Sequence, residues 1–187
     1  MKRIILASMS PRRRELMRLL PIEFEVCAVD IDESIDKNKS PSENAMEIAK
    51  RKAQTAGKLY DDAIIIGCDT IVAIGDKILG KPQNEIDAKR ILLELSGAEH
   101  RVYTGVCILN GGKTMQFCGS ASVKMKELTN DEISWYIGTG EPMDKAGAYG
   151  IQGYGALFIE RLNGDYYSVV GLPICKLNSV LKNITQG

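Results

Sequence analysis

The chain has 187 residues, 44% apolar and 26% charged, the composition of an ordinary globular protein long enough to bury a sizeable core. Its 24 basic side chains match its 24 acidic ones, so no global field argues for nucleic acid or an anionic membrane surface, and any basic site must be local. No apolar run approaches the roughly 20 residues of a membrane span and the start lacks the apolar core of a signal peptide, which makes the cytosol the expected setting.

Ile4–Ala7 reads as a short buried strand that breaks into Ser8, Met9, Ser10, Pro11 and three arginines, Arg12, Arg13 and Arg14. Ser10 is a good N-cap, and Pro11 suits a first helical position, where its missing N–H costs nothing. Strand, polar turn and helix start with bidentate donors make an anion site suited to phosphate. The plain alternative is a solvated basic turn, although cations are disfavoured at a helix N-terminus. Leu16, Met17, Leu19 and Leu20 give this helix its apolar face and Pro21 ends it. From Ile22 to Ala28 apolar residues alternate with Glu23 and Glu25 as a half-buried strand.

The acidic stretch that follows holds Asp30, Asp32, Glu33 and Asp36, either a solvated loop or ligands for a divalent cation. Ser40, Pro41 and Glu43 form a capping box, after which Ala45, Met46, Ala49, Ala53 and Ala56 recur at helical spacing as a narrow face of small residues. Lys50, Arg51 and Lys52 read as solvated cations on that helix, since lysine is so rarely buried.

Ala63–Ile66 is almost wholly apolar, hence a central strand, broken by Gly67, Cys68, Asp69 and Thr70 and resumed by Ile71–Ile74. A carboxylate between two apolar runs must be paired, metal-bound or lining a cleft, because burying it alone would cost several kcal/mol. Gly75 and Asp76 make a hairpin turn, and Lys81, in the Gly80–Pro82 loop, could reach back toward Asp69. Asn84 caps a helix that runs to Leu95, with Gly97 beyond its end. His100–Leu109 and Lys113–Met125 form a long hairpin. Thr129 and Glu132 open another helix, on which Trp135 reads as core.

Glu141–Gly155 is dense in glycine, with Lys145, Tyr149 and Gln152 interleaved, and reads as a binding loop rather than a flexible connection. Ala156–Leu162 and Asp165–Val170 read as a closing hairpin, and Pro173 starts a last helix with Ile174, Leu177, Leu181 and Ile184 inward. The five cysteines never form a C-x-x-C pair and read as free thiols. With His100 the sole histidine, a histidine relay is excluded, and carboxylates and amines must do any chemistry. The chain reads as one α/β domain over 1–187, with a mixed twisted sheet flanked by helices.

The run Leu6, Ala7, Ser8, Ser10, Pro11, Arg12, Arg13 resembles the N-terminal signature of the Maf family, nucleotide pyrophosphatases first named for septum inhibition. Further motifs match in order: Glu33, Lys52 with Ala53, Gly67–Thr70, Gly80–Pro82, Leu95–Gly97, Glu141–Gly153 and Gly171–Pro173. The resemblance implies an elongated fold similar to inosine triphosphate pyrophosphatases, with the nucleotide between two lobes. It implies a diphosphatase that cuts between the α- and β-phosphates with a divalent metal, magnesium or manganese.

Carried over by position, Asp69 would be the proton acceptor, and Glu33 with Asp69 the metal ligands. Ser8, Arg13, Lys52, Lys81 and Lys145 would hold the phosphates. Arginine, threonine and glutamine at three specificity positions, here Arg12, Thr70 and Gln152, are similar to the branch acting on dTTP and UTP. The branch for 7-methyl-GTP looks different there. A pyrophosphatase for modified purine nucleotides and a nucleotide-binding regulator of cell division are the alternatives. The expected partner is the nucleoside triphosphate substrate, without nucleic acid or membrane, with a homodimer left open.

Overall fold

The computed structural model describes residues 2–186. Among these residues, seven strands and six α-helices follow in the order β1 (Arg3–Ala7), α1 (Pro11–Met17), β2 (Glu25–Val26), α2 (Pro41–Gly57), β3 (Ala63–Ile74), β4 (Lys77–Leu79), α3 (Glu85–Leu95), β5 (Glu99–Asn110), β6 (Lys113–Met125), α4 (Asn130–Gly138), β7 (Ile159–Gly164), α5 (Tyr166–Val170) and α6 (Ile174–Gln186). The hydrogen-bonded strand order is β2-β1-β3-β5-β6-β7, with β4 paired to β3. Since β1 pairs parallel to β2 and β3 while β4 and β7 pair antiparallel, the sheet is mixed, as the alternation of apolar runs and capped helices predicts. No helix among the described residues is long and apolar enough to cross a membrane.

The chain forms two compact units. The first comprises the residues up to Asp69, Thr104–Gly119 and those from Gly171. Its core is the layer between α2 and the strands, where Ala49, Ala53 and Ala56 meet Ile5, Ala7, Ala63, Ile65 and Cys107. The small face of α2 permits backbone-to-backbone approach: a Cβ on Gly67 would collide with the Ala49 carbonyl oxygen and lie 2.7 Å from the Ala53 nitrogen. The capping box at Ser40 and Glu43 is present as expected, with Glu43 N–H donating to Ser40 Oγ and Ser40 N–H to Glu43 Oε2.

The second unit comprises Thr70–Tyr103 and Ser120–Val170. Its core gathers Leu79, Ile91, Leu92 and Leu95 with Val102, Val123, Ile133, Tyr136, Tyr149 and Phe158. His100 is buried here, 2% exposed, with Nε2 2.7 Å from the Tyr149 hydroxyl. Burial pushes its pKa from 6.5 down to about 4. The folded state therefore keeps the ring neutral where the unfolded chain takes up a proton, so stability should fall as pH drops from 6.5 to about 4, by about 3 kcal/mol in all. His100→Gln should flatten that slope in urea unfolding measured across the window; a slope parallel to the parent's would sink this account.

Several local expectations are corrected. β3 is one unbroken strand of 12 residues, not two runs split at Gly67–Thr70, because Asp69 has a partner that lets it stay in the ladder. The strand expected over Ile22–Ala28 shrinks to Glu25–Val26, both exposed, so alternation there did not mean a buried face; Leu19, expected on the apolar face of the first helix, lies beyond the end of α1 and is exposed. Ser10 sits at the N-cap of α1 with extended backbone, but its side chain makes no cap; its N–H donates instead to Ser8 Oγ at 3.3 Å. Trp135 is 47% exposed, and its neighbour Tyr136 is the buried aromatic of α4. The closing hairpin does not form: β7 pairs with β6, and Tyr166–Val170 is helical. All five cysteines are free, three of them buried.

Candidate active site

Side chains alternate along β3, so Ala63, Ile65, Gly67 and Asp69 share the face that meets α2. On α2 the buried positions Ala45, Ala49, Lys52 and Ala56 follow helical spacing, which carries Lys52 inward with the alanines. The two periodicities meet at one ion pair, Lys52 Nζ to Asp69 Oδ1 at 2.6 Å. The same ammonium lies 2.6 Å from Glu33 Oε1, contributed by the acidic loop between β2 and α2. Lys52 is 8% exposed, against the expectation of a solvated cation; its spacing from Ala45, Ala49 and Ala56 was the signal.

Beside it the turn after β1 holds Ser8, whose Oγ accepts from Arg13 Nη1 at 3.2 Å. Arg13 is itself buried and aimed by a second bond, Nε to the Gly171 carbonyl at 2.8 Å. The two cations flank Cys68: burial pushes this thiol up, while Arg13 and Lys52 pull it down. Arg12 is half-buried in the first turn of α1. The first unit thus brings together Ser8 with Arg13, and Glu33 with Lys52 and Asp69.

Four expected site residues belong to the second unit. Thr70 is partly buried, next along β3 after Asp69, and Lys81 is exposed in the loop after β4. Lys145 Nζ donates to the Glu141 carbonyl at 2.7 Å and contacts Asp144 at 2.6 Å. Gln152 is exposed, in a turn between two short 3-10 segments, Ala146–Ala148 and Tyr154–Phe158.

The donor chemistry suits a hard divalent cation, since two carboxylates converge on one cationic centre. Among the described residues no group of three or more His, Cys, Asp or Glu is placed to hold a metal ion by itself. From the acidic loop Glu33 joins this cluster, whereas Asp32 accepts from Ser34 N–H and Oγ, which holds its carboxyl below the usual range.

A mixed sheet flanked by helices, with a lysine held between two carboxylates and a serine–arginine pair after its first strand, defines an α/β protein with an ionic cluster where β3 meets α2. Over 97% of this chain and 99% of its own, the Ham1 protein of Staphylococcus aureus has a similar fold, with a TM-score of 0.54 at 14% identity. Residues 3–184 match the family described as Maf-like protein, and the chain belongs to the Maf family. It is 47% identical over 187 residues to a dTTP/UTP pyrophosphatase of Bacillus cytotoxicus, covering all of this chain and 98% of the relative. With the dTTP/UTP pyrophosphatase of a Bacillus cereus strain it shares 50% over 182 residues, 97% of this chain and 95% of that one.

Proposed function

We propose that this chain hydrolyses dTTP and UTP to the nucleoside monophosphate and pyrophosphate. What carries the reading is the Lys52 ammonium held between Asp69 and Glu33, in a chain about half identical to relatives named for that activity. In this reading Asp69, held at Oδ1 by Lys52, accepts the proton of the attacking water. Water adds to the α-phosphorus, the bond to the bridging oxygen breaks, and pyrophosphate leaves. A triphosphate carries about four negative charges, and such chemistry asks chiefly for positioning and charge neutralisation. Ser8, Arg13 and Lys52 are the donors assigned to the phosphates, and motif position alone gives Lys81 and Lys145 the same role.

Glu33 and Asp69 would hold a magnesium or manganese ion, which when bound neutralises phosphate charge and polarises the scissile bond. Glu33→Gln should then raise the metal concentration for half-maximal activity by about tenfold, in the range expected for weakening a metal's ligation. Full activity of the parent in excess chelator would end the metal assignment.

Arg12, Thr70 and Gln152 are assigned to the base. Gln152 offers both a carbonyl acceptor and an amide donor, matching the imide N–H and a carbonyl of uracil or thymine. Glutamate would only accept, suiting the N–H groups of a guanine edge. Pyrophosphate release across a panel of triphosphates tests this: UTP and dTTP should exceed GTP and 7-methyl-GTP in kcat/KM by at least about tenfold, or roughly 1.4 kcal/mol. Gln152→Glu should erode that preference by weakening the pyrimidine substrates. If 7-methyl-GTP proves the best substrate, the base assignment is wrong while the diphosphatase reading stands.

A further inference from the structure

The glycine-rich segment is folded around a carboxylate of its own chain. Glu141 Oε1 accepts from the Tyr136 hydroxyl at 2.8 Å and from Gly155 N–H at 3.1 Å, and Oε2 accepts from Tyr154 N–H at 2.8 Å. The Tyr136 hydroxyl in turn accepts from Gly150 N–H at 3.1 Å. Both ends of the hexapeptide Gly150–Gly155 are therefore tied to one buried phenol and one half-buried carboxylate, with Gln152 exposed between them. Burial pushes the Glu141 carboxyl up, but the Tyr154 and Gly155 amides and the Tyr136 hydroxyl outweigh it and hold the group below its ordinary range.

The glycines serve this wrapping. A Cβ on Gly153 would collide with the Glu141 carboxylate, and one on Gly155 would lie 2.7 Å from the Tyr136 hydroxyl. Upstream, the segment is clamped again by Tyr149 on His100, and Ala148 keeps a left-handed φ of 57°. Such a conformation costs on the order of 1 kcal/mol and persists only where the surroundings over-determine it. A simple connection from α4 to β7 would need none of this fixing. A long, flexible glutamine discriminates between base edges only if its backbone is held in one place.

We propose that Glu141 and Tyr136 are positioning residues for base selection, holding the Gly150–Gly155 backbone so that Gln152 meets the pyrimidine edge. This rests on the reading in which Gln152 contacts the base. Tyr136→Phe keeps the ring against Phe158 and removes both hydroxyl bonds; Glu141→Gln keeps the size and sets an amide against an N–H donor.

The test measures kcat and KM on UTP and GTP for Tyr136→Phe, Glu141→Gln, Gln152→Ala and the double variants with Gln152→Ala, with melting curves to select folded proteins. Each positioning variant should lower the UTP-to-GTP ratio of kcat/KM by about tenfold, mainly through the KM for UTP, while GTP changes by no more than about twofold. In the Gln152→Ala background the same substitutions should alter the ratio by less than about twofold, because the group they act through is gone. Equal losses on both substrates, multiplying with Gln152→Ala, would mean a merely structural role and overturn the proposal. If Gln152→Ala collapses the ratio while folded Tyr136→Phe and Glu141→Gln keep it, the positioning role falls alone. If Gln152→Ala itself leaves the ratio intact, the base assignment falls and the positioning role with it.

Discussion

Asp69→Asn should fold and bind nucleotide yet turn it over at least about 10²-fold more slowly, the range expected for losing a general base. The substitution is nearly isosteric, and its site sits in the middle of a strand whose neighbours Cys68 and Ile71 are buried. Lys52 keeps Glu33 as a counter-ion at 2.6 Å, so the ammonium is not abandoned in a buried place. Single-turnover hydrolysis of UTP, set beside nucleotide binding by titration, separates the two effects. Turnover within a few-fold of the parent would remove Asp69 from the role of proton acceptor.

Lys52→Met should do more damage to the fold. It keeps the length and the apolar stem of the side chain but strips two carboxylates of their shared partner. Asp69 is 9% exposed, so its charge has little water to fall back on. Removing one member of a buried pair costs about 3 kcal/mol or more, because the other member is left uncompensated. For a chain of this size that corresponds to a melting temperature lower by roughly 6–12 °C. Activity should be lost as well, since the reading places the same ammonium on the phosphates. The double variant Lys52→Met with Asp69→Asn should regain part of the stability, because no unpaired carboxylate remains on β3. A single variant that melts within about 2 °C of the parent would show that the pair contributes little to the fold.

Much of the architecture could be read from residues because local signals agreed with the fold. Ser40 with Glu43, Thr129 with Glu132, and Asn84 each cap the helix they announce. Asp69 was visible as a misfit, a carboxylate among apolar neighbours that had to be paired. Its partner was not, because lysine statistics argued for solvent; only the position of Lys52 on the alanine stripe spoke otherwise. The two-residue β2 and the helix at Tyr166–Val170 escaped for another reason. Short segments take their form from tertiary neighbours, and alternation over a few residues carries too little information to override them. The glycine-rich segment reads in sequence as a binding loop, with nothing to say what its glycines make room for. Those at Gly153 and Gly155 make room for Glu141 and Tyr136. A carboxylate twelve residues away in sequence, as Glu141 is from Gly153, leaves no periodic trace.

The missing side chain at Gly67 acts as a spacer of zero thickness. With nothing between them, the α2 backbone at Ala49 and Ala53 rests directly on the strand, and the separation of helix and sheet is set by main-chain atoms that cannot shrink or stretch. Lys52 lies one residue before Ala53, and Asp69 lies two residues beyond Gly67 on the same face. The length of the ammonium–carboxylate contact is therefore gauged by main-chain contact rather than by the reach of a flexible lysine. Any side chain at this position, even a methyl group, would act as a shim that lifts the helix, and it would be felt first as slack in the ion pair two residues away.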